Sequence, residues 1–313
     1  MKVSVVIPYH NDSKTIARAI KNAINQSHQP HEIIIIDDFS DDSTQLQEII
    51  GEIKEQANIE IKYIRNTNNM NGAYSRNVGI VSSTGQFVAL LDADDFWKSC
   101  HLEQALSTLI NNKSDFVFSN IINISSDGVE TIRKVTNPEL LENKFDVLLH
   151  SPPQTSSFFF CREKLLEAGI LFDESLSRHQ DYQFFLDVLN SGLKTSYLDS
   201  YSTYYYLGNG KRNLKETQFH SMLGFWEKNK NLFTSKKLAP MINRVLLDLY
   251  ICLDKKRARK IKETYSVSRQ YYSFPIQVIA RIIGQSTNFR KKIRMSMFYF
   301  YYNPSVFFKK IKK

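Results

Sequence analysis

Four short segments rich in apolar residues punctuate the first part of the chain: Val3–Ile7, Ile33–Ile36, Ile61–Ile64 (broken by Lys62) and Phe87–Leu91. The last carries no internal charge and predicts a strand buried on both faces. Pro8 ends the first run, because proline cannot donate to a ladder. Between the runs the apolar period changes. Ile16, Ile20, Ala23 and Ile24 recur at helical spacing, as do Leu46, Ile49, Ile50 and Ile53. Asp12 or Ser13 is the expected N-cap of the first helix. Asp41, Asp42 and Ser43 open the second, and the stretch from Gly72 to Gly79 begins a third. Strand and helix thus alternate β-α-β-α-β-α-β. That order predicts an α/β fold, a mostly parallel sheet sandwiched by helices.

Beyond Leu91 the pattern loosens. Asp115–Asn120, Ile121–Ile124, Ser157–Cys161 and Thr195–Leu198 are candidate strands, and Pro138 is a candidate helix start. Arg162–Ala168 predicts a short helix closed by Gly169. His179-Gln180-Asp181-Tyr182 heads an amphipathic helix carrying Phe184, Phe185, Val188 and Leu189. A tyrosine-rich run, Tyr201–Tyr206, precedes the basic loop Gly208–Arg212. From Lys215 the pattern is helical, with basic clusters at Lys255–Lys262, Arg290–Arg294 and Lys309–Lys313 and aromatics interleaved.

Charge separates what periodicity leaves joined. Residues 1–213 hold 19 Lys+Arg against 27 Asp+Glu, a balance of −8, and residues 214–313 hold 22 against 5, a balance of +17. The expected division is a catalytic domain at 1–213 and a helical, basic appendage at 214–313. Basic clusters interleaved with Phe and Tyr suit an interfacial helix on an anionic membrane surface. The competing readings of that appendage are a solvated bundle and a homo-oligomer contact. Nucleic acid is not the expected partner, because the acidic half would repel phosphates and no binding motif occurs. Three scattered cysteines, Cys100, Cys161 and Cys252, fit a reducing compartment. No leader and no apolar stretch of ~20 residues is present, so the expected location is cytoplasmic, peripheral on the inner face of the membrane.

The chemistry concentrates in Asp92-Ala93-Asp94-Asp95, three carboxylates at the end of a buried strand. Crowded like charges repel, and a divalent cation with hard oxygen ligands resolves the conflict. An acidic turn with a helix cap is the plainer alternative for that tetrapeptide alone. Ligands of such sheets sit beyond the carboxyl ends of the strands. Those ends here carry Pro8–Asn11, Asp37-Asp38 and Asp92–Asp95. No Gly-x-Gly-x-x-Gly follows the first strand, which argues against a dinucleotide fold.

Taken together, Val3–Asn11, Ile33–Thr44, Arg76-Asn77-Val78-Gly79-Ile80, Gly85–Asp95 and Gln180-Asp181 resemble the family 2 glycosyltransferases of GT-A fold, over roughly residues 1–210. The resemblance implies transfer of a sugar from a UDP-sugar donor to a glycan or lipid-linked glycan acceptor, with inversion. It implies that Pro8, His10 and Asn11 line the nucleotide and that Asp38 accepts the base N–H. It assigns Asp92 to the ribose or the metal, Asp94 to a Mn²⁺ or Mg²⁺ ion, and Asp181 to the catalytic base. Two positions depart from the family: Gln180 stands where Glu is usual, and Phe39 where glycine is common. Elementary chemistry adds Arg76, directed at the acidic cluster or the donor or else held in a structural ion pair, and Lys211 and Arg212, which either close over the diphosphate or lie on a solvated surface loop. A helix N-terminus is expected to keep Asp181 ionised. The competing functions are a non-catalytic nucleotide-sugar binder and a nucleic-acid binder acting through the basic region.

Overall fold

A computed structural model describes residues 1–207 and 214–271. Lys211, Arg212, the loop around them, and the clusters Arg290–Arg294 and Lys309–Lys313 lie outside the described residues. The chain divides into two compact units, Met1–Lys211 and Arg212–Lys313.

In the first unit the alternation is β1 (Val3–Tyr9), α1 (Ile16–Ile24), β2 (Glu32–Asp37), α2 (Ser43–Gln56), β3 (Glu60–Arg65), α3 (Gly72–Ser82) and β4 (Phe87–Leu90). There follow β5 (Phe96–Trp97), α4 (His101–Asn111), β6 (Phe116–Ile124), β7 (Glu130–Arg133), α5 (Val147–His150), β8 (Phe159–Cys161), α6 (Arg162–Glu167), α7 (Gln180–Asn190) and β9 (Thr195–Tyr206). All nine strands join one sheet in the order β3-β2-β1-β4-β8-β6-β9-β5, with β7 beside β6. The β3-β2-β1-β4 half is parallel. Beyond β4 the sheet is mixed: β8 pairs antiparallel with β4 and β6, and β9 runs parallel to β6. Periodicity is cleanest in β1, β2 and β4 of the parallel half, whose residues are almost all buried, while the edge strand β3 is partly exposed.

Side-chain alternation sends Val3, Val5, Ile7, Ile33, Ile35, Ala89 and Leu91 to one face, where they pack with α1, α2 and α4. On the other face α3 lies so close that a Cβ on Gly79 would stand 2.2 Å from Val6 Cγ1. Also on that face α7 inserts Phe184 and Phe185 among Phe116, Phe158 and Phe160. Each fully buried Ile or Phe contributes about 1.5–3 kcal/mol. This aromatic layer is what fixes the helix that begins at Gln180.

Several local expectations are corrected. Neither Asp12 nor Ser13 caps α1; Thr15 holds that position, and Asp12 instead offers its backbone carbonyl to Thr15 and Ile16. Pro138 starts only a 3₁₀ turn, Pro138–Leu140. The two strands expected at 115–124 are the single strand β6, and β9 joins Thr195–Leu198 to the tyrosine run with a register shift near Ser119. The short strands β5 and β7 gave no periodic signal.

In the second unit the described residues form α8 (Glu216–Asn229), α9 (Ser235–Cys252), α10 (Lys255–Thr264) and α11 (Ser266–Tyr271). Their core contains Phe219, Leu223, Trp226, Ile242, Leu246, Ile261 and Val267. Glu227 ties α8 to α11 by accepting from Ser266 and from the Val267 N–H at 2.8 Å. Among the described residues no helix is long and apolar enough to cross a membrane.

Candidate active site

Parallel pairing in register brings the exits of β1, β2 and β4 to one edge of the sheet, and a cleft opens there. Pro8, Tyr9, His10, Asp12, Asp38, Gly72, Ser75, Arg76, Asp92, Ala93 and Asp94 line it. Pro8, His10, Asp38, Arg76, Asp92 and Asp94, singled out from distant parts of the sequence, therefore meet at one place. Asn11 and Asp181 are not among the lining residues.

Asp38 is buried and braces the loop before α3. Its Oδ1 accepts from Asn66 Nδ2 and the Met70 N–H, and its Oδ2 from the Asn71 N–H, each at 2.8 Å. A carboxylate oxygen can accept two such bonds, so Oδ2 keeps one acceptor position. His10 is exposed and places Nδ1 3.0 Å from the Asp38 carbonyl. Asn11 accepts from the Asp41 N–H at 2.7 Å and places Nδ2 3.2 Å from His10 Nε2. Phe39 takes φ 58°, the left-handed turn that a glycine would supply, and its ring is exposed beneath Arg65 at 5.3 Å. The substitution thus keeps the turn.

Asp92 is half-buried and paired with Arg76 Nη2 at 2.6 Å. The other arm of that guanidinium reaches Gln180 Oε1 at 3.3 Å. Asp94 is half-buried too, and burial first, then the charges of Asp92 and Asp12, push its carboxyl up to about 6. Asp95 plays a different part. It is fully buried, accepting from Ser156 Oγ at 2.6 Å and from the Tyr206 N–H at 2.9 Å. Burial, followed by the charges of Asp94 and Asp92, raises it well above the carboxylate range.

Among the described residues no group of three or more His, Cys, Asp or Glu is arranged as a metal cluster. A cation carried largely by phosphates and water needs only one or two carboxylates. Burial raises Asp94 first and crowding by Asp92 and Asp12 adds to it; a cation would relieve that crowding, and Asp92 and Asp94, which line one cleft, fit a hard divalent ion.

Asp181 occupies the first turn of α7, half-buried. The expected dipole effect is outweighed: burial pushes its carboxyl up, against the pull of the Tyr182 N–H and of Arg76. Charge from Asp92 adds to the rise. Asp181 therefore sits beside the cleft, within the field of Arg76 and Asp92, next to the Gln180 that Arg76 touches.

Three supports escaped the sequence. Arg18, one turn into α1, donates to the Asp94 carbonyl at 2.6 Å and lies 4.4 Å over the Phe96 ring. Ser156 accepts from the Asp92 N–H at 3.0 Å while donating to Asp95. Asn71 caps α3 through bonds from the Ala73 and Tyr74 N–H groups. None lies in a run or spacing that marks it; a polar residue at a loop end is the only signal, and that signal is common.

The chain is 34% identical over 200 residues to the amylovoran biosynthesis glycosyltransferase AmsB of Erwinia amylovora, covering 61% of this chain and 65% of that one. It is 30% identical over 145 residues to the Escherichia coli UDP-Glc:alpha-D-GlcNAc-diphosphoundecaprenol beta-1,3-glucosyltransferase WfgD, covering 45% and 55%. These matches span between about half and two-thirds of the relatives' lengths. Residues 1–349 of S. aureus TarS, solved in complex with UDP-GlcNAc, share the fold at a TM-score of 0.65 and 17% identity, covering 95% of this chain and 92% of that one. That likeness establishes the GT-A fold. The family model for glycosyl transferase family 2 matches residues 4–170, more than half of the chain, and brackets every carboxylate that lines the cleft; the chain belongs to that family.

Proposed function

We propose that this protein is an inverting, metal-dependent glycosyltransferase. It moves a sugar from a UDP-sugar to a hydroxyl of a growing cell-surface glycan, with a lipid-linked glycan as the acceptor class. The observation that carries this reading is the gathering of Asp38, Asp92, Asp94 and Arg76 around one cleft at the carboxyl ends of parallel strands. The glycan-building relatives and the nucleotide-sugar complex of TarS support the donor and acceptor classes.

In this scheme the free acceptor position on Asp38 Oδ2 takes the base N–H, and His10 and Pro8 border the ring. Asp94 and Asp92 would hold Mn²⁺ or Mg²⁺, which when bound stabilises charge developing on the leaving diphosphate. Arg76 keeps Asp92 oriented through their 2.6 Å ion pair. Asp181 receives the proton as the acceptor oxygen bonds to the anomeric carbon and the bond from that carbon to the diphosphate breaks. A carboxylate raised above its ordinary range is the stronger base, provided the medium still ionises it.

The appendage is assigned to the anionic inner face of the membrane. On α10 the side chains of Lys255, Lys256, Arg257, Arg259 and Lys260 are all exposed, while Ala258 and Ile261 are buried. Near a charged bilayer each cation adds about 1 kcal/mol of attraction.

The direct experiment is a panel of UDP-sugars assayed for slow hydrolysis and transfer with Mn²⁺, with Mg²⁺ and with EDTA. Turnover of one donor that stops in EDTA is expected. Full activity in EDTA would remove the metal from the scheme, and an Asp181→Asn variant with unchanged transfer would remove the base.

A further inference from the structure

Asn71 holds a backbone conformation that only glycine adopts with ease: φ 82°, ψ 168°. The other non-glycine residues of positive φ, Asn11, Phe39, Lys113 and His179, lie between 49° and 62°. A residue kept in that region must be over-determined by its surroundings. Asn71 is bound to two segments distant in sequence, the Asp38 turn and the stretch leading to α7. Its N–H donates to Asp38 Oδ2 at 2.8 Å, on the expected nucleotide side. Its Nδ2 donates to the Glu174 carbonyl at 2.8 Å, in the segment leading to α7. Its Oδ1 accepts from Gln180 Nε2 at 3.3 Å, immediately before Asp181. The same oxygen caps α3, one turn ahead of Arg76. Glycine would relax the backbone and lose every side-chain bond. The strain is thus coupled to a side chain that joins the two halves of the site.

We propose that Asn71 is a positioning residue that links the Asp38 loop to the start of α7, so that occupation of the donor side fixes Asp181 for the acceptor. This rests on the donor and base roles given above. It makes a specific demand: the side chain matters for transfer, not for holding the fold or the donor.

The test compares full-length wild type with Asn71→Gly, Gln180→Ala and the double variant. Glycine suits the backbone and is a tolerable helix cap, so the Tm of Asn71→Gly is expected to be unchanged or higher. UDP affinity by calorimetry and donor KM should stay within about threefold of wild type, while transfer kcat falls about tenfold. Without ligand, amide exchange across Glu174–Gln180 should accelerate about tenfold and that of Asn66–Met70 should not. The double variant should be less than additive, since the Asn71–Gln180 bond is the contact that both changes remove. Exchange and kcat of Asn71→Gly within twofold of wild type would overturn the proposal. So would a lower Tm with donor affinity and kcat lost in parallel, or strict additivity in the double variant. Should wild type bind no UDP, the donor role fails, and the exchange comparison in unliganded protein still decides whether Asn71 couples the two segments.

Discussion

At the entry of strand β2 stands Glu32, and at its exit Asp37 and Asp38 lead into the cleft that Asp94 shares. Glu32 has no exposed surface, yet it is a satisfied anion. Ser4 Oγ and Lys62 Nζ donate to it at 2.6 Å, and the Thr84 N–H and Oγ1 at 2.7 and 2.8 Å. Burial alone would raise its carboxyl, but these bonds outweigh burial and bring it down to about 2. Asp37 is satisfied in the same manner, by the Ser40 N–H, Tyr63 Oη and Arg65. Asp94, half-buried, faces Asp92 and Asp12 and is pushed the other way by burial and by those charges, to about 6. The protein supplies donors to the carboxylates that hold the sheet together and leaves Asp94 crowded by like charge beside the cleft. Glu32 is the more buried of the two and yet the lower, so the provision of partners is what differs.

The largest effect should come from the base. Asp181→Asn is expected to cut transfer roughly 10³-fold with UDP affinity unchanged, measured by steady-state kinetics and calorimetry. Burial raises this group and a base works only when ionised, so the wild-type rate should fall with decreasing pH at a point above the ordinary aspartate range. That limb should vanish from the residual activity of the variant.

Asp94→Asn tests the unsatisfied end. A loss of roughly 10² in kcat/KM is expected, with Mn²⁺ titration no longer saturating normally. Because the substitution removes a crowded charge, thermal stability should stay level or rise. A clear fall in Tm would mean that Asp94 is structural.

Glu32→Gln is the mirror case. It should cost about 3 kcal/mol of stability in urea at neutral pH and leave KM for the donor untouched. The folded-state carboxyl lies below its unfolded value of 4.5, so its contribution is present above that pH and is lost as pH falls toward 2. The variant's stability should therefore vary less across that window.

The same contrast reappears, more weakly, on α10. Arg257 pairs with Asp254 and Arg259 with Glu263, whereas Lys255, Lys256 and Lys260 make no ion pair among the described residues. Reversing those three lysines to Glu should weaken sedimentation with anionic vesicles by at least tenfold, with each cation worth about 1 kcal/mol. Unchanged partitioning would take α10 out of the membrane assignment.

Much of the first unit was legible because buried parallel strands impose a plain code. Four strand segments with helical spacing between them specify the elements of a parallel half, though not their order in the sheet, and polar residues at the exits of such strands have one place to go. The later half was harder to follow. β5 is two residues long, β7 pairs on one side only, and β8 and β9 acquire meaning from partners far away in sequence. The basis of Asp181's character was likewise hidden: a helix start suggests a stabilised anion, and only packing of α7 against the phenylalanine layer adds the burial that reverses it.

What the sequence determined by itself, then, is the order of elements, the acidic strand ends and the split between an acidic domain and a basic one, since periodicity and charge are local properties of the chain. Tertiary structure alone decided which carboxylates are satisfied and which are left under repulsion. It also decided that Arg76 joins Asp92 to Gln180 and that a strained Asn71 ties Asp38 to Glu174 and Gln180. Those outcomes depend on donors supplied from segments tens of residues apart, and a pairing of that kind has no counterpart in any window of sequence.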